Sequence, residues 1–208
     1  MDAFESPLER LFHDQLLKRL PRGVSIQPQV EVQTLCGKFR LDFMVEVGGR
    51  RVGLECDGKE FHDEWRDEWR DAMILGDNQA DEIIRFRGCD LTYHLDDCMY
   101  LLAHLQPLLF ADRQRIVIEK LASDRVKEFV AGGNLHPTMT MLTYGCINGS
   151  GGPDFIIIMR RSREGLTTSV GREFWAVLHR RAVEAGGGSL DAIMKADAEE
   201  TRLSWTAP

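Results

Sequence analysis

Two acidic positions in neighbouring strand-like segments are the residues best suited to chemistry in this chain. In residues 39–47 apolar and polar side chains alternate, as in a half-buried strand, and Asp42 falls on the polar face. In residues 51–57 the same alternation puts Glu55 and Asp57 on the face opposite the apolar side chains. Carboxylate oxygens are the ligands that hard divalent cations prefer, so these residues could hold a metal ion.

The loop between the two segments fixes how they pair. Gly48 and Gly49 alone separate them, and a two-residue Gly-Gly loop predicts a tight hairpin with a defined register. That register sets Asp42 directly opposite Glu55, where like charges destabilise an antiparallel pair. We therefore expect a protonated carboxyl or a cation between them. The alternatives are a bulge that shifts the register, or two carboxylates that face water.

Composition limits the kinds of protein this chain can be. With 208 residues, 43% of them hydrophobic, it can form one domain of ordinary size or one domain with an appendage. It has no apolar run of about 18 residues and no signal-peptide pattern, so we expect a soluble cytoplasmic protein without a membrane partner. Its five cysteines lack CxxC spacing, which indicates neither disulfides nor a zinc site. A net charge of −7 does not favour non-specific nucleic-acid binding, so DNA would have to meet local basic patches.

The elements that must position the acids begin with a well-marked helix. Ser6 is a preferred N-cap, and Glu9 three residues later completes a capping box. In a second helix, Trp65, Trp69 and Met73 recur every four residues and predict a stripe that faces the core. The sequence predicts a strand at 24–32, the hairpin at 39–57, the second helix at 62–75, a strand at 82–87 and a covering helix at 96–109.

This order of elements predicts a mixed α/β (α+β) fold, with an αβββαβ core whose central mixed sheet is flanked by helices. Beyond it, residues 113–130 and 172–185 have helical patterns and residues 155–159 form a short apolar strand, while the tail after residue 198 reads as loose. We predict a core at 1–110 and a C-terminal α/β extension, or small second domain, at 111–208.

Short motifs in this core carry a resemblance to a known family. They are Arg40-Leu41-Asp42-Phe43, the run from Glu55 to His62, Arg66-Asp67 with Arg70-Asp71, and Arg85-Phe86. In this combination and order the chain resembles the PD-(D/E)XK nuclease superfamily, and within it the Vsr-like (very-short-patch-repair-like) endonuclease branch. The resemblance covers roughly residues 5–95. It implies a restriction-endonuclease-like core and metal-dependent hydrolysis of DNA phosphodiester bonds.

The resemblance also implies roles for the acids. Asp42 and Glu55, with Asp57 beside them, would hold Mg²⁺, and Mn²⁺ would substitute for it. Asp57 stands where the superfamily pattern has lysine, so the residue that activates the water is open. Lys59 is one candidate, and His62 is the one we favour because its pKa lies near neutrality. The alternative is that His62 begins a helix and simply faces solvent.

Three further residues have two interpretations each. Glu9 would complete the metal site from the first helix according to the resemblance, whereas helix capping alone also explains it, and the two roles are compatible. Arg66 and Arg70 share a helix face and could contact the phosphates of nucleic acid, or they could pair with acidic neighbours on the same helix.

The sequence therefore predicts a Mg²⁺-dependent endodeoxyribonuclease of repair, restriction or mobile-element type. A catalytically inactive nuclease fold that binds nucleic acid or protein is the alternative, favoured by the acidic charge and the missing lysine. An RNA-directed nuclease is a weaker one. The C-terminal part would read DNA, form a homodimer or bind a protein partner.

Overall fold

The computed structural model describes residues 4–58, 64–133, 135, 141–147, 153–163 and 170–206. Within these ranges the chain has the predicted mixed α/β class, with helices on both faces of a six-stranded sheet. The strands are β1 (Ile26–Thr34), β2 (Gly37–Val47), β3 (Arg50–Asp57), β4 (Glu82–Arg87), β5 (Met141–Ile147) and β6 (Pro153–Ser162). The helices are α1 (Pro7–Leu17), α2 (Glu64–Gly76), α3 (Gly88–Tyr93), α4 (Leu95–Leu105), α5 (Asp112–Leu121), α6 (Asp124–Ala131), α7 (Val170–Glu184) and α8 (Leu190–Thr206).

The strands lie in the order β1-β2-β3-β4-β6-β5. The pair β3 and β4 is parallel, because α2 connects them as a crossover, and the other neighbouring pairs are antiparallel. The predicted succession of α1, three strands, α2 and β4 is therefore observed, and β4 has the predicted bounds. In the described part of the chain, no helix is long and apolar enough to cross a membrane.

The sheet separates two apolar cores. On one face, Phe12 and Leu16 of α1 pack with the inner sides of α3 to α6; on the other, Trp69 and Met73 of α2 pack with α7 and α8. All four of these side chains are fully buried. Burying a large apolar side chain stabilises the fold by about 1.5–3 kcal/mol, so both faces contribute to holding the sheet.

Strands β1 and β2 change faces together near their middle. Phe43 pairs with Pro28 and packs in the α1 core, whereas Leu41 pairs with Val30 and packs in the α2 core. Regular alternation would have kept Leu41 and Phe43 on one face, as the sequence predicted. Between these two pairs lie Gln29 and Asp42, and Gln29 has a left-handed backbone with φ 52°. We call this position the face switch.

The face switch corrects the predicted pairing of the hairpin. The turn at Gly48 and Gly49 has positive φ at both residues, and the predicted register holds as far as Phe43 opposite Leu54. There the ladder ends, so Asp42 and Glu55 are not ladder partners. Instead, the backbone N–H of Cys56 donates to Asp42 Oδ2 over 2.8 Å. A side chain thus replaces the next ladder bond.

Other boundaries differ from the sequence prediction for identifiable reasons. The first strand begins two residues later than predicted, and the covering helix ends at Leu105 because the residue before Pro107 is disfavoured in a helix. The helix predicted at 113–130 divides into α5 and α6, because Asp97 accepts hydrogen bonds from Ser123 N and Oγ, both over 2.7 Å, and Ser123 caps α6. Strand β5 was not predicted, and the supposedly loose tail belongs to α8.

The C-terminal part joins the same sheet. Strand β6 pairs with β4, β5 pairs with β6, and α7 packs on α2. The predicted domain boundary near residue 110 stays a prediction, because these contacts join residues on both sides of it into one sheet.

Candidate active site

Asp42 occupies the face switch, and charges on both sides of the sheet shift the pKa of its carboxyl group. Burial raises its pKa to about 6, the Cys56 N–H opposes this shift, and the negative charges of Glu9 and Asp57 add to it. Glu9 belongs to α1 on one face, whereas the partly compensating charge of Arg70 comes from α2 on the other. The side chain therefore carries a negative charge less readily than an exposed aspartate does.

Glu55 is the most deeply buried of the candidate acids on β3. It is 4% exposed, and burial raises the pKa of its carboxyl to about 8. The guanidinium of Arg70, whose Nη2 donates to Glu55 Oε1 over 2.8 Å, opposes that shift, as does Arg85. The effect of burial is larger than that of the two arginines, so Glu55 holds a proton near neutral pH in the absence of another cation. The negative charge of Asp42 acts in the same direction.

A buried arginine organises the acids behind Glu55. Arg85 on β4 is 3% exposed and donates to Asp71 with Nη2 over 2.6 Å and Nε over 3.1 Å. Its Nη1 donates to Asp57 over 3.2 Å and lies 3.9 Å from Asp67. Burial lowers the pKa of Arg85, but the negative charges of Asp71, Glu55 and Asp57 outweigh it and raise this pKa well above its ordinary value, so Arg85 stays charged. Asp57 is thus tied into this network as well as placed beside Glu55.

Arg85 and Asp71 belong to the motifs that carry the family resemblance, but the sequence alone gives neither of them a role. The signal for Arg85 was present, since a single charged residue stands in the apolar strand Ile83-Ile84-Arg85-Phe86. A charged residue in a buried strand requires a partner, and an acid on the neighbouring helix is the simplest one.

Glu9 is buried, 6% exposed, and its carboxylate faces two donors. Ser6 Oγ accepts from the Glu9 backbone N–H over 3.1 Å, as predicted for an N-cap. The Glu9 side chain does not close the predicted capping box on Ser6: Oε2 accepts from Glu5 N over 3.0 Å and from Gln29 Nε2 over 2.7 Å. The carboxylate therefore links α1 to the face switch.

Gln29 is a site residue that sequence reasoning missed. Its Nε2 donates to Glu9, whereas its buried Oε1 has no hydrogen-bond partner among the described residues. It also lies opposite Asp42, between the ladder pairs Pro28–Phe43 and Val30–Leu41. No local sequence pattern indicates that this glutamine side chain turns toward α1.

The predicted basic and aromatic residues divide between the site and the surface. Arg70 reaches the site, where it also donates to the carbonyl of Arg40, whereas Arg66 pairs with Asp191 of α8 on the surface. The prediction that Trp65 belongs to the core stripe is wrong, because it is 40% exposed at the first turn of α2 and packs edge-on against Trp69. Lys59 and His62 lie outside the described residues.

The donor chemistry fits a hard cation in part. Across the described residues, no three His, Cys, Asp or Glu side chains converge closely enough to hold a metal ion by themselves. Asp42 and Glu55 nevertheless offer carboxyl oxygens, with pKa values raised to about 6 and about 8. On the strand next to Asp42, Gln29 offers a buried amide oxygen that has no hydrogen-bond partner among the described residues. Oxygen atoms of these kinds are what Mg²⁺ and Mn²⁺ accept.

Comparisons with known proteins do not assign a family. No protein-family model matches the chain, and no curated protein matches it. Among solved structures, it is similar to a crystal structure described as a protein of unknown function, AF1548, with 14% sequence identity and a TM-score of 0.30. That similarity covers 60% of this chain and 95% of the other. It is too low to carry an argument about function.

Proposed function

We propose that this protein is a metal-dependent endonuclease that hydrolyses DNA phosphodiester bonds. The observation that supports it best is the pair Asp42 and Glu55, whose carboxyl pKa values are raised to about 6 and about 8, mainly by burial and further by neighbouring negative charges. Two acids held in this state gain most from a nearby cation, because a cation lowers both pKa values at once. The motif resemblance to PD-(D/E)XK nucleases of the Vsr-like branch points to the same pair.

Asp42 and Glu55 would hold Mg²⁺, with Asp57 close by. When bound, the ion would polarise the phosphate, lower the pKa of a water molecule and offset charge on the leaving oxygen. The protein's own part is to keep the two carboxylates together in a buried setting, where electrostatic interactions are stronger than in water. The Cys56 N–H fixes the Asp42 carboxylate, and the Arg85 network fixes Asp57.

Proton transfer would come from the segment that follows β3. His62 is our candidate for the base that takes a proton from water or the acid that serves the leaving group, and Lys59 is the other candidate. Arg70 binds Glu55 and, at 18% side-chain exposure, it is accessible from solvent. It would contact a phosphate of the substrate.

Cleavage of supercoiled plasmid DNA in the presence of Mg²⁺ or Mn²⁺ tests the proposal. We expect nicking by the wild type and by Glu46→Gln, an exposed acid on the same strand as Asp42. We expect Asp42→Asn and Glu55→Gln to lose at least about 100-fold in rate, as when a group that stabilises the transition state is removed. Equal cleavage by all four proteins would refute the site, and parallel RNA substrates would reveal an RNA-directed enzyme.

A second candidate is a nuclease-like fold that binds nucleic acid or protein without turnover. It is favoured by Arg70, which already compensates Glu55, and by the lack of a closed set of three acids among the described residues. Calorimetric titration with Mn²⁺ separates the two candidates. Heat of binding that disappears in Asp42→Asn supports the enzyme, and its absence from the wild type supports the module.

A further inference from the structure

Gln29 combines three unusual properties in one side chain. Its backbone lies in the left-handed region with φ 52°, a conformation that costs a non-glycine residue about 1–2 kcal/mol. Its amide nitrogen donates to the buried carboxylate of Glu9 over 2.7 Å. Its amide oxygen is buried and finds no hydrogen-bond partner in the part of the chain that the structure describes, which costs a further 1–3 kcal/mol or so. A fold retains such a residue when another interaction compensates for it.

The location of Gln29 indicates what that interaction is. The ladder pairs on either side of it place Gln29 opposite Asp42 on the neighbouring strand. Because both amide atoms are bonded to one carbon, the amide oxygen lies near the carboxylate of Glu9, whose charge acts on Asp42. A cation at this position would supply the partner that the amide oxygen lacks among the described residues.

We infer that Gln29 is a further oxygen donor for the cation of this site and also orients Glu9 toward it. This inference rests on the proposed function, and it explains why the acids alone do not form a complete set of ligands among the described residues. The amide nitrogen holds Glu9 in one orientation, and the amide oxygen completes the oxygen environment next to Asp42. The strained backbone at the face switch is what directs the side chain there.

Mn²⁺ binding by calorimetry, with the whole chain, tests the inference without a cleavage assay. The variants are Gln29→Met, which removes both amide atoms and keeps the length, and Gln27→Met, an exposed control on the same strand. Asp42→Asn reports on the site itself. We expect Gln29→Met to weaken Mn²⁺ binding about 10-fold or more, a loss typical of an outer-shell or amide ligand, and Gln27→Met to leave it unchanged.

A double-mutant cycle separates the two roles of Gln29. If the amide oxygen contacts the cation, Gln29→Met still weakens binding in a Glu9→Gln background. If Gln29 acts only through Glu9, the double variant binds as Glu9→Gln does, and the direct role is refuted. Urea unfolding of each apo protein verifies folding, and Gln29→Asn, which suits a left-handed backbone and withdraws the amide by one carbon, serves as a second variant with the same expected loss.

The outcomes distinguish this inference from the proposed function. Mn²⁺ binding that needs Asp42 but is indifferent to Gln29→Met and Gln29→Asn overturns the inference and leaves the proposed function standing. A wild type without Asp42-dependent binding overturns both.

Discussion

At the scale of single residues, two arginines beside the candidate acids differ in how firmly they are held. Arg85 is 3% exposed and binds Asp71 through two nitrogens, whereas Arg70 binds Glu55 through one nitrogen and has a more exposed side chain. A paired arginine without access to water is difficult to replace, because its loss leaves a buried charge uncompensated. A partly exposed arginine that binds one carboxylate through a single nitrogen can exchange that anion for another. We therefore expect Arg85 to serve stability and propose Arg70 as the functional arginine.

The first prediction follows from the burial of Arg85. Arg85→Met removes the arginine that binds the fully buried Asp71 and should lower the free energy of unfolding by about 3–5 kcal/mol. Urea denaturation measures this loss. Arg66→Gln, on the exposed pair with Asp191, should cost at most about 1 kcal/mol. The double variant Arg85→Met with Asp71→Leu should be more stable than Arg85→Met alone, and a double variant that is equally destabilised would contradict a buried-charge explanation.

At the scale of elements, the sequence predicted what local patterns determine and missed what tertiary contacts decide. The Gly-Gly turn and the run at 82–87 predicted the hairpin turn and β4 correctly, since both signals are local. The face switch at Gln29 and Asp42 arises from two strands that change side together, and no alternation within one strand reveals it. The same holds for the break before Ser123, which an acid on α4 stabilises.

The second prediction concerns the contact between α2 and α7. A Cβ atom at Gly76 would overlap the imidazole ring of His179, whose Nε2 lies 2.8 Å from Asp77 Oδ1. Gly76→Ala should therefore destabilise the protein by about 1–3 kcal/mol through overpacking. Adding His179→Ala should relieve the overlap and recover part of the loss. At Gly58 an added Cβ would meet no atom of the described residues within 4 Å, so Gly58→Ala should change stability by less than about 0.5 kcal/mol in the same urea experiment.

At the scale of the whole molecule, the sheet carries Asp42 and Glu55 between two apolar cores. Because these acids are buried, the stability of the protein depends on pH. The folded pKa values of Asp42 and Glu55, about 6 and about 8, lie above their ordinary values of 3.8 and 4.5. The folded state thus holds these protons more tightly than the unfolded state does. Their contribution to stability is fully present below about pH 4 and is lost as the pH rises through about 8.

The third prediction is the resulting pH profile. In the presence of a chelator, the free energy of unfolding of the wild type should fall between about pH 4.5 and 8.5, each group contributing at most about 1.4 kcal/mol per pH unit. Glu55→Gln cannot titrate and should flatten the upper part of the profile. Urea denaturation across this range measures both curves. Parallel curves for the two proteins would show that Glu55 titrates at its ordinary pKa.

The candidate site also shows how much of function a sequence can reveal. Alternation, a capping pattern and a family resemblance predict the acids Asp42, Glu55, Asp57 and Glu9. In the structure the charges of Glu9 and Asp57 act on Asp42, and the charge of Asp42 acts on Glu55. Gln29 was missed because its role depends on a left-handed backbone and a contact with a distant helix. Local pattern identifies residue types, whereas the fold decides which of them meet.

The central claim is that Asp42 and Glu55 form a divalent-cation site, and one measurement tests it most directly. An anomalous difference map from crystals grown with Mn²⁺ should show a peak bound by the carboxylate oxygens of both residues, with Arg70 withdrawn from Glu55. A well-ordered site without a peak, with Arg70 still on Glu55 at saturating Mn²⁺, would contradict the claim.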